Sequence, residues 1–313
     1  MGFTPTEKVW FNGHLVPWGE AKVHVLAHGL QYGTGVFEGL RSYQTSDGTA
    51  VFRLDRHLRR FFESAAVYEL QIPYTLEALA DATLDVVRAN RLENAYLRPI
   101  AFFDASTLSV WTRECPVTVA IAGFPTGQYL AGGPERGVRV TISSIRKFPS
   151  NAIPATAKAC GQYINSARAV QEAQRKGFDE AILLNQRGEV SEGSGENIFL
   201  VKNGVVHTND GGADILMGVT RETTLDIARD LSIPTRVAPI TLDDLAAADE
   251  LFFSGTAVEV TPICEVDGRT YSGGRPGPIT RRIQETYFQA VRGQLPQYRK
   301  WLSFATHAAP SML

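Results

Sequence analysis

The chain has 313 residues, a length that predicts roughly two domains at about 150 residues per domain. Hydrophobic residues make up 44% and charged residues 20%, which is typical of a soluble globular protein and excludes a disordered or fibrous one. The net charge of -2, from 31 Lys plus Arg and 33 Asp plus Glu, excludes nucleic acid and anionic membrane as general electrostatic partners.

The apolar stretches are too short to cross a membrane. Among the longest is Val117 to Phe124, far below the about 18 residues that span a bilayer. The first residues lack the basic and apolar segments of a secretory signal. Cys115, Cys160 and Cys264 are widely spaced and form no CxxC pair, which favours neither a disulfide framework nor a zinc site. We therefore expect a cytoplasmic protein with no membrane partner.

The first half of the chain predicts an α+β arrangement, because its strands come as neighbours and do not alternate with helices. Asn12-Gly13 is typical of a type I′ hairpin turn, and Thr75 is a candidate N-cap. The predicted elements are a hairpin over residues 9–16, a strand over 21–27, amphipathic helices around 58–65 and 76–87, and strands over 96–103 and 117–124.

Glycines and prolines between residues 125 and 137 interrupt both periodicities and predict a linker. We therefore predict domains over 1–124 and 138–313. The second domain has hairpin signals at 187–188, 203–204 and 267–268, which favours a mixed sheet or barrel over a doubly wound parallel fold. Its other predicted elements are a strand over 138–142 and helices over 158–177, 220–231 and 279–292.

Three short patterns suggest chemistry only weakly. The glycines between Tyr32 and Gly39 have GxGxxxG spacing without the long helix of a dinucleotide site, so close backbone packing in a bend is favoured over an NAD(P) oxidoreductase. His24 and His28 lie in the predicted strand about 13 Å apart, too far to share a metal, and favour structural roles. Gly193-Ser194-Gly195 is not the GxSxG elbow of a hydrolase.

Lys158 is the exceptional lysine of the chain. The other six, Lys147 among them, lie beside turns, charges or termini, as solvated lysines do. Lys158 lies among small uncharged residues at the predicted start of a helix, where the helix dipole and desolvation lower a lysine's pKa. A neutral amine is what Schiff-base chemistry requires, although spacing alone favours a surface lysine.

Two segments could bind an anion. Gly218-Val219-Thr220 precedes an amphipathic helix, whose free N–H groups and dipole suit a phosphate. Ser254-Gly255-Thr256 ends a strand and offers further hydroxyl and N–H groups. Helix capping and turn formation are the commoner roles of such residues.

Seven segments together resemble the class IV, or fold type IV, pyridoxal phosphate (PLP) aminotransferases, and are most similar to the branched-chain amino acid aminotransferases. They occur in the family's order over nearly the whole chain. The segments are Val9 to Gly13, His28 to Arg41 (HGLQYGTGVFEGLR), Tyr96 to Pro99, Thr156 to Ala159, Val190 to Phe199 (VSEGSGENIF), Gly218 to Arg221 and Ser254 to Pro262. The resemblance implies an α+β (mixed α/β) architecture with a small N-terminal domain and a larger C-terminal domain containing a barrel-like mixed sheet.

The resemblance also implies roles for individual residues. Lys158 would form the Schiff base with PLP and move the proton at the substrate Cα, and Glu192 would face the pyridine nitrogen. Position alone cannot choose Glu192 over Glu189 or Glu196. Arg60 would bind the phosphate, although helical periodicity places it opposite the apolar face, on the solvated surface. The remaining implied cofactor-binding residues are Tyr163, Val219, Thr220 and Thr256. No metal is implied.

The substrate pocket is implied in the same way. Tyr96 and Arg98 would recognise carboxylates, with Arg98 pairing with the distal carboxylate of glutamate or 2-oxoglutarate. The other implied pocket residues are Tyr32, Phe37, Gly39, Tyr129, Tyr163, Thr256 and Ala257. Val258, Met217 and Thr126 depart from the family's usual residues and predict a reshaped pocket.

The resulting hypothesis is an L-selective transaminase acting on Leu, Ile, Val and 2-oxoglutarate, which are small-molecule substrates. The family forms homodimers or assemblies of dimers, in which Tyr32 would reach the neighbouring subunit. The alternatives are a D-amino acid or (R)-amine transaminase of the same fold, an NAD(P)-dependent oxidoreductase, and a binding module that has lost the chemistry.

Overall fold

The computed structural model describes residues 3–127, 130 and 133–305. The helices are α1 (His28–Tyr32), α2 (Leu54–Val67), α3 (Leu76–Ala89), α4 (Gly133–Arg136), α5 (Tyr163–Arg175), α6 (Val219–Asp230), α7 (Leu242–Ala246) and α8 (Pro278–Val291). The strands are β1 (Lys8–Phe11), β2 (His14–Pro17), β3 (Gly35–Phe37), β4 (Leu40–Thr45), β5 (Gly48–Phe52), β6 (Ala95–Phe103), β7 (Val117–Pro125), β8 (Val138–Ile142), β9 (Glu180–Leu184), β10 (Val190–Gly193), β11 (Asn197–Lys202), β12 (Val205–Thr208), β13 (Thr235–Val237), β14 (Glu250–Gly255), β15 (Glu259–Val266), β16 (Arg269–Thr270) and β17 (Leu302–Phe304).

The first of two compact units comprises, among the described residues, 3–127, 157–161 and 289–305. Its sheet has the strand order β17-β5-β4-β6-β7-β1-β2, with β3 paired to β6. The apolar faces of α2 and α3 bury Leu58, Phe61 and Leu79 in its core. Thr75 caps α3 by accepting a hydrogen bond from the Ala78 N–H, as predicted.

The second unit comprises residues 130, 133–156 and 162–288. Its nine-stranded sheet has the order β10-β9-β8-β15-β14-β11-β12-β13, with β16 paired to β15. Strand β8 is parallel to β9 and β15, whereas β14 is antiparallel to both of its neighbours, β11 and β15. This mixed sheet confirms the predicted α+β (mixed α/β) fold class.

The structure differs from the sequence-based elements in the first unit. Residues 21–27 form no strand: Val23 and Val25 are exposed, and a turn places the Ala27 N–H on the His24 carbonyl. Alternation predicted a strand there, but the segment has no neighbouring strand to pair with among the described residues. Conversely, β3, β4 and β5 were not predicted, because buried strands show little alternation.

The predicted helix from Lys158 begins later in the structure. Cys160–Gln162 forms a 3-10 turn and α5 starts at Tyr163, so Lys158 does not lie at a helix N-terminus. Residues 157–161 and 289–305, which the sequence-based division assigns to the second domain, group instead with the first unit. No helix within the described part of the chain is long and apolar enough to cross a membrane.

Candidate active site

The backbone of Lys158 is fixed from both sides within the first unit. Its N–H donates to the Ser64 hydroxyl at 2.9 Å, and its carbonyl accepts from the Phe37 N–H at 3.0 Å. A bridge between Val36 and Ala159 continues this pairing beside the end of β3. These contacts fix the backbone position from which the Lys158 side chain extends, and sequence position alone gave no sign of them.

The glycine-rich segment between Tyr32 and Gly39 packs closely against the backbone near Lys158. Gly33 has φ +69°, and a Cβ there would lie 2.8 Å from the Cα of Gly161. The Gly161 N–H donates to the Gly33 carbonyl at 3.1 Å. A dinucleotide site would require a long helix after the glycines, but this segment leads into the strand β3. Packing therefore explains these glycines.

The amine of Lys158 is held in a region that disfavours its protonation. Burial and the nearby Arg60 guanidinium lower its pKa to about 8, although the Glu38 carboxylate acts in the opposite direction. The nitrogen lies 4.9 Å from the centroid of the Phe37 ring. The helix dipole predicted as a cause does not apply, because α5 begins five residues later. A far larger fraction of this amine is therefore neutral at physiological pH than in an ordinary lysine, whose pKa is about 10.4.

Arg60 belongs to a buried ionic cluster and not to the solvated surface that periodicity predicted. Its Nε and Nη2 donate to the two carboxylate oxygens of Glu38 at 2.6 and 2.9 Å. His57 Nδ1 lies 2.8 Å from Glu38 Oε2, and all three side chains are buried. Arg60 and Ser64 lie one helical turn apart, so α2 presents both on one face.

The pKa values within this cluster follow from its contacts. Burial opposes ionisation of Glu38, but Arg60 and His57 outweigh it and hold the pKa of Glu38 well below its usual range. Burial lowers the pKa of His57, with Glu38 acting against it. The sequence analysis missed Glu38 and His57, although Glu38 lies between the two predicted pocket residues Phe37 and Gly39.

Strand β6 presents Tyr96 and Arg98 on one half-buried face, because residues two apart point to the same side of a strand. The Arg98 guanidinium carbon lies 4.6 Å from the Phe37 ring centroid, and Nη2 lies 3.4 Å from the Tyr96 hydroxyl. Arg98 Nε is buried without a hydrogen-bond partner in the described part of the chain. A Cβ at Gly39 would clash with the Tyr96 hydroxyl, so any side chain there would displace Tyr96.

Of the predicted aromatic pocket residues Tyr32 and Tyr129, Tyr32 lies among the described residues. Tyr32 is exposed, and its hydroxyl donates to the Leu108 carbonyl at 2.8 Å. Tyr129 lies outside the described residues.

In the second unit Glu192 is a buried carboxylate and not an exposed hairpin residue. Lys147 Nζ donates to Oε1 at 2.5 Å. The Leu216 N–H and the Asn197 amide donate to Oε2 at 3.1 and 3.2 Å. Lys147 was grouped with the solvated lysines, which is wrong, since its side chain is only 13% exposed. Asn197 and Lys147 were not predicted as site residues; only Asn197 lies in a resembling motif.

The neighbouring glutamates have other partners. Glu189 pairs with Arg187 at 2.6 Å and accepts from the Asn185 amide at 2.8 Å. Glu196 Oε2 accepts from the Gly195 N–H at 3.0 Å. The structure thus separates three carboxylates that sequence position alone could not distinguish.

The two predicted anion sites lie at a helix start and a turn of the second unit. Val219 and Thr220 form the first residues of α6, whose N-cap is Gly218, a residue with no side chain to bond the first-turn amides. Thr256, Ala257 and Val258 form the turn between β14 and β15. The Ser254 hydroxyl, near the end of β14, is buried and has no hydrogen-bond partner among the described residues.

The remaining predicted residues are placed as follows. Tyr163 is partly buried at the start of α5. Val258 is buried, Met217 is exposed and Thr126 is partly buried.

Comparison with known proteins gives one consistent family. The model of the family described as class IV amino-transferase matches residues 35–266. Branched-chain-amino-acid aminotransferases of Pseudomonas aeruginosa and Escherichia coli K12 are 44% and 41% identical, each over 94% of this chain and over 95% and 96% of their own lengths. A crystal structure of the Thermoproteus uzoniensis branched-chain aminotransferase with norvaline has a TM-score of 0.92 and 46% identity, covering 96% of this chain and 100% of that one. The Thermobaculum terrenum branched-chain amino acid aminotransferase in its PLP form has a TM-score of 0.91 and 31% identity, with coverage of 97% and 99%. With more than half of its length matched by the family model, the chain belongs to the class IV aminotransferases.

Proposed function

We propose that this protein is a PLP-dependent transaminase that moves the amino group between L-branched-chain amino acids and 2-oxoglutarate. Support comes from the relatives, which are named branched-chain-amino-acid aminotransferases, and from the solved structures of two relatives, one with norvaline and one in PLP form. The observation that carries the proposal is the Lys158 amine, which is fixed through its backbone and has a pKa lowered to about 8.

The residues present fit a phosphorylated pyridine aldehyde. The set contains a nucleophilic amine at Lys158, a buried carboxylate at Glu192 for a ring nitrogen, and first-turn amides at Val219 and Thr220 for a phosphate. The Ser254 hydroxyl, buried without a described partner, adds a polar group that a ligand can satisfy. PLP supplies, when bound, an aldehyde for the amine and a ring that accepts the electrons released at the substrate Cα.

Each residue then has a distinct task. Lys158 Nζ would hold the cofactor through its aldehyde, with loss of water, and would move the proton at the substrate Cα, a task suited to an amine with a pKa of about 8. Glu192 would accept a hydrogen bond from the protonated ring nitrogen. The residues proposed to hold the phosphate are the first-turn amides and Thr220 of α6, Thr256 and Arg60, and Tyr163 would serve the ring hydroxyl.

Arg60 has a second task as the counter-charge of Glu38. Its guanidinium also lies near Lys158, where it lowers the pKa of the amine and so favours the neutral form. The same residue therefore serves both anion binding and amine reactivity.

The pocket proposal assigns two kinds of recognition. Arg98 and Tyr96, with the backbone of Thr256 and Ala257, bind carboxylates, and the Nε of Arg98, which has no described partner, is a donor available for that task. The aromatic walls for the branched side chain are provided by Phe37, Tyr32, Tyr129 and Tyr163. Gly39 leaves room for the Tyr96 hydroxyl. The small-molecule partners are thus amino acids and 2-oxo acids.

We further propose a homodimer or an assembly of dimers, in which Tyr32 reaches the neighbouring subunit. Its support is a set of exposed apolar side chains on the first unit: Val25, Leu30, Leu108, Val110 and Trp111. A cytoplasmic location remains a prediction.

The test of the proposed function compares substrates. The purified protein with added PLP should transfer the amino group of L-leucine to 2-oxoglutarate much faster than that of D-alanine or an (R)-arylamine. Faster reaction with D-alanine or the arylamine would assign the alternative transaminase specificity. Activity that depended on added NAD(P), or none with any amino donor, would contradict the proposal.

A further inference from the structure

Lys147 and Glu192 form an ion pair with little access to water. Their side chains are 13% and 7% exposed, and Lys147 Nζ lies 2.5 Å from Glu192 Oε1. Removing two charges from water is costly, and that cost is offset only when each keeps its partner. An ion pair in such a place therefore depends on close mutual positioning.

The backbone of Lys147 is fixed as firmly as its side chain. Its N–H donates to the Leu184 carbonyl at 2.9 Å, at the end of β9. Its carbonyl accepts from the Gln186 side-chain amide at 2.8 Å. The ammonium group thus approaches Glu192 from a defined position, unlike the flexible lysines of a surface pair.

The donors to Glu192 are divided between its two oxygens. Lys147 occupies Oε1, whereas the Leu216 N–H and the Asn197 amide share Oε2. A carboxylate offers about four lone-pair positions, and these three donors leave roughly one for a further N–H. The three contacts together fix the plane of the carboxylate.

We propose that Lys147 is a positioning residue for the cofactor: it holds Glu192 as an aligned anion that is ready to bond the protonated ring nitrogen. This inference rests on the proposed function of Glu192. Its physical basis is that an unpaired buried carboxylate is costly. A carboxylate that loses its cation therefore either turns toward other donors or water, or binds a proton and becomes neutral. Either change removes the acceptor that the ring nitrogen needs.

The test is a double-mutant cycle on the affinity for PLP. The variants are Lys147→Met, Glu192→Gln and the two combined, and the measurement is the PLP dissociation constant by equilibrium dialysis. In the protein that retains Glu192, we expect Lys147→Met to weaken PLP binding roughly tenfold. In the Glu192→Gln background the same change should have less than about a twofold effect, because no anion remains to be positioned.

Two further variants separate positioning from a loss of folding. Lys147→Arg keeps the charge and should bind PLP within about threefold of the unmodified protein. Lys176→Met removes a more exposed lysine from its pair with Glu172 and should leave binding unchanged. If Lys147→Met cannot be purified, Lys147→Gln completes the same cycle.

The outcomes distinguish this inference from the proposed function. Equal losses from Lys147→Met in both backgrounds, or none in either, would refute the positioning role while PLP binding by the unmodified protein upheld the function. The assignment of Glu192 itself would fail if the unmodified protein bound no PLP, or if the Glu192→Gln variant bound PLP as tightly as the unmodified protein. The inference about Lys147 would then fail as well.

Discussion

The chemistry of Lys158 depends on charges contributed by residues distant in sequence. Arg60, on α2, favours the neutral amine, whereas Glu38 favours the charged one. The sequence indicated Lys158 by its small neighbours, but assigned its lowered pKa to a helix dipole. The actual causes are burial and Arg60, and a one-dimensional pattern does not show which side chains come together in space.

Replacement of Arg60 should therefore change the reactivity of Lys158. In the protein without cofactor, the rate of aldehyde labelling at Lys158 should rise with pH around a midpoint of about 8. Arg60→Gln removes the cation that disfavours protonation, so the midpoint should move to higher pH. Labelling rates over a pH series spanning that midpoint, followed by peptide mass spectrometry, measure this shift.

Arg59→Gln is the matched control, because Arg59 is the exposed neighbour of Arg60 on the same helix. It should leave the midpoint in place. An equal shift in both variants would contradict the specific role of Arg60.

A second prediction concerns the space above Gly39. In Gly39→Ala the new methyl group would collide with the Tyr96 hydroxyl and displace Tyr96 from its place beside Arg98. Overpacking of this kind costs about 1–3 kcal/mol, so KM for 2-oxoglutarate should rise at least about fivefold. Gly19→Ala, where no atom lies within 4 Å of the added Cβ, should leave KM unchanged. An unaltered KM in Gly39→Ala would show that Tyr96 takes no part in recognition.

At the scale of elements, the predicted parts are those with strong local signals. Asn12 and Gly13 both have positive φ in the β1–β2 turn, and Thr75 caps α3 as expected. The strands β3 to β5 lacked such signals because most of their residues are buried. Burial of Arg60 and Lys147 was also missed, since their partners lie 22 and 45 residues away.

The junction of α2 with the β3–β4 connection should depend on the Glu38 ion pairs. Glu38→Gln removes the carboxylate charge that pairs with buried Arg60 and should destabilise the protein by about 3 kcal/mol. Urea unfolding at neutral pH measures this loss. Glu63→Gln, at an exposed position of α2, should change the free energy of unfolding by less than about 0.5 kcal/mol.

The same cluster makes a prediction about acid stability. The pKa of Glu38 is lower in the folded than in the unfolded protein, so its contribution is fully present above the unfolded value of about 4.3. It is lost as the pH falls below that value, toward the folded pKa. Glu38→Gln should therefore lose less stability than the unmodified protein as the pH falls from about 5 to about 3. A parallel loss in the two proteins would contradict this account of the cluster.

For the whole molecule, the proposed dimer predicts a mass twice the 34.3 kDa of the chain in sedimentation equilibrium. Trp111→Asp places a charge among the exposed apolar side chains of the first unit and should shift the protein toward monomer. A monomeric unmodified protein, or a Trp111→Asp variant with unchanged assembly, would contradict the use of this surface.

The proposed function depends on a covalent bond between the Lys158 amine and the aldehyde of PLP. Its most direct measurement is borohydride reduction of the protein with bound PLP, followed by mass spectrometry of the peptides. We predict one stoichiometric phosphopyridoxyl group on the peptide that contains Lys158, and no stoichiometric label in Lys158→Ala. A stoichiometric label on another lysine, or none on the unmodified protein, would contradict the account.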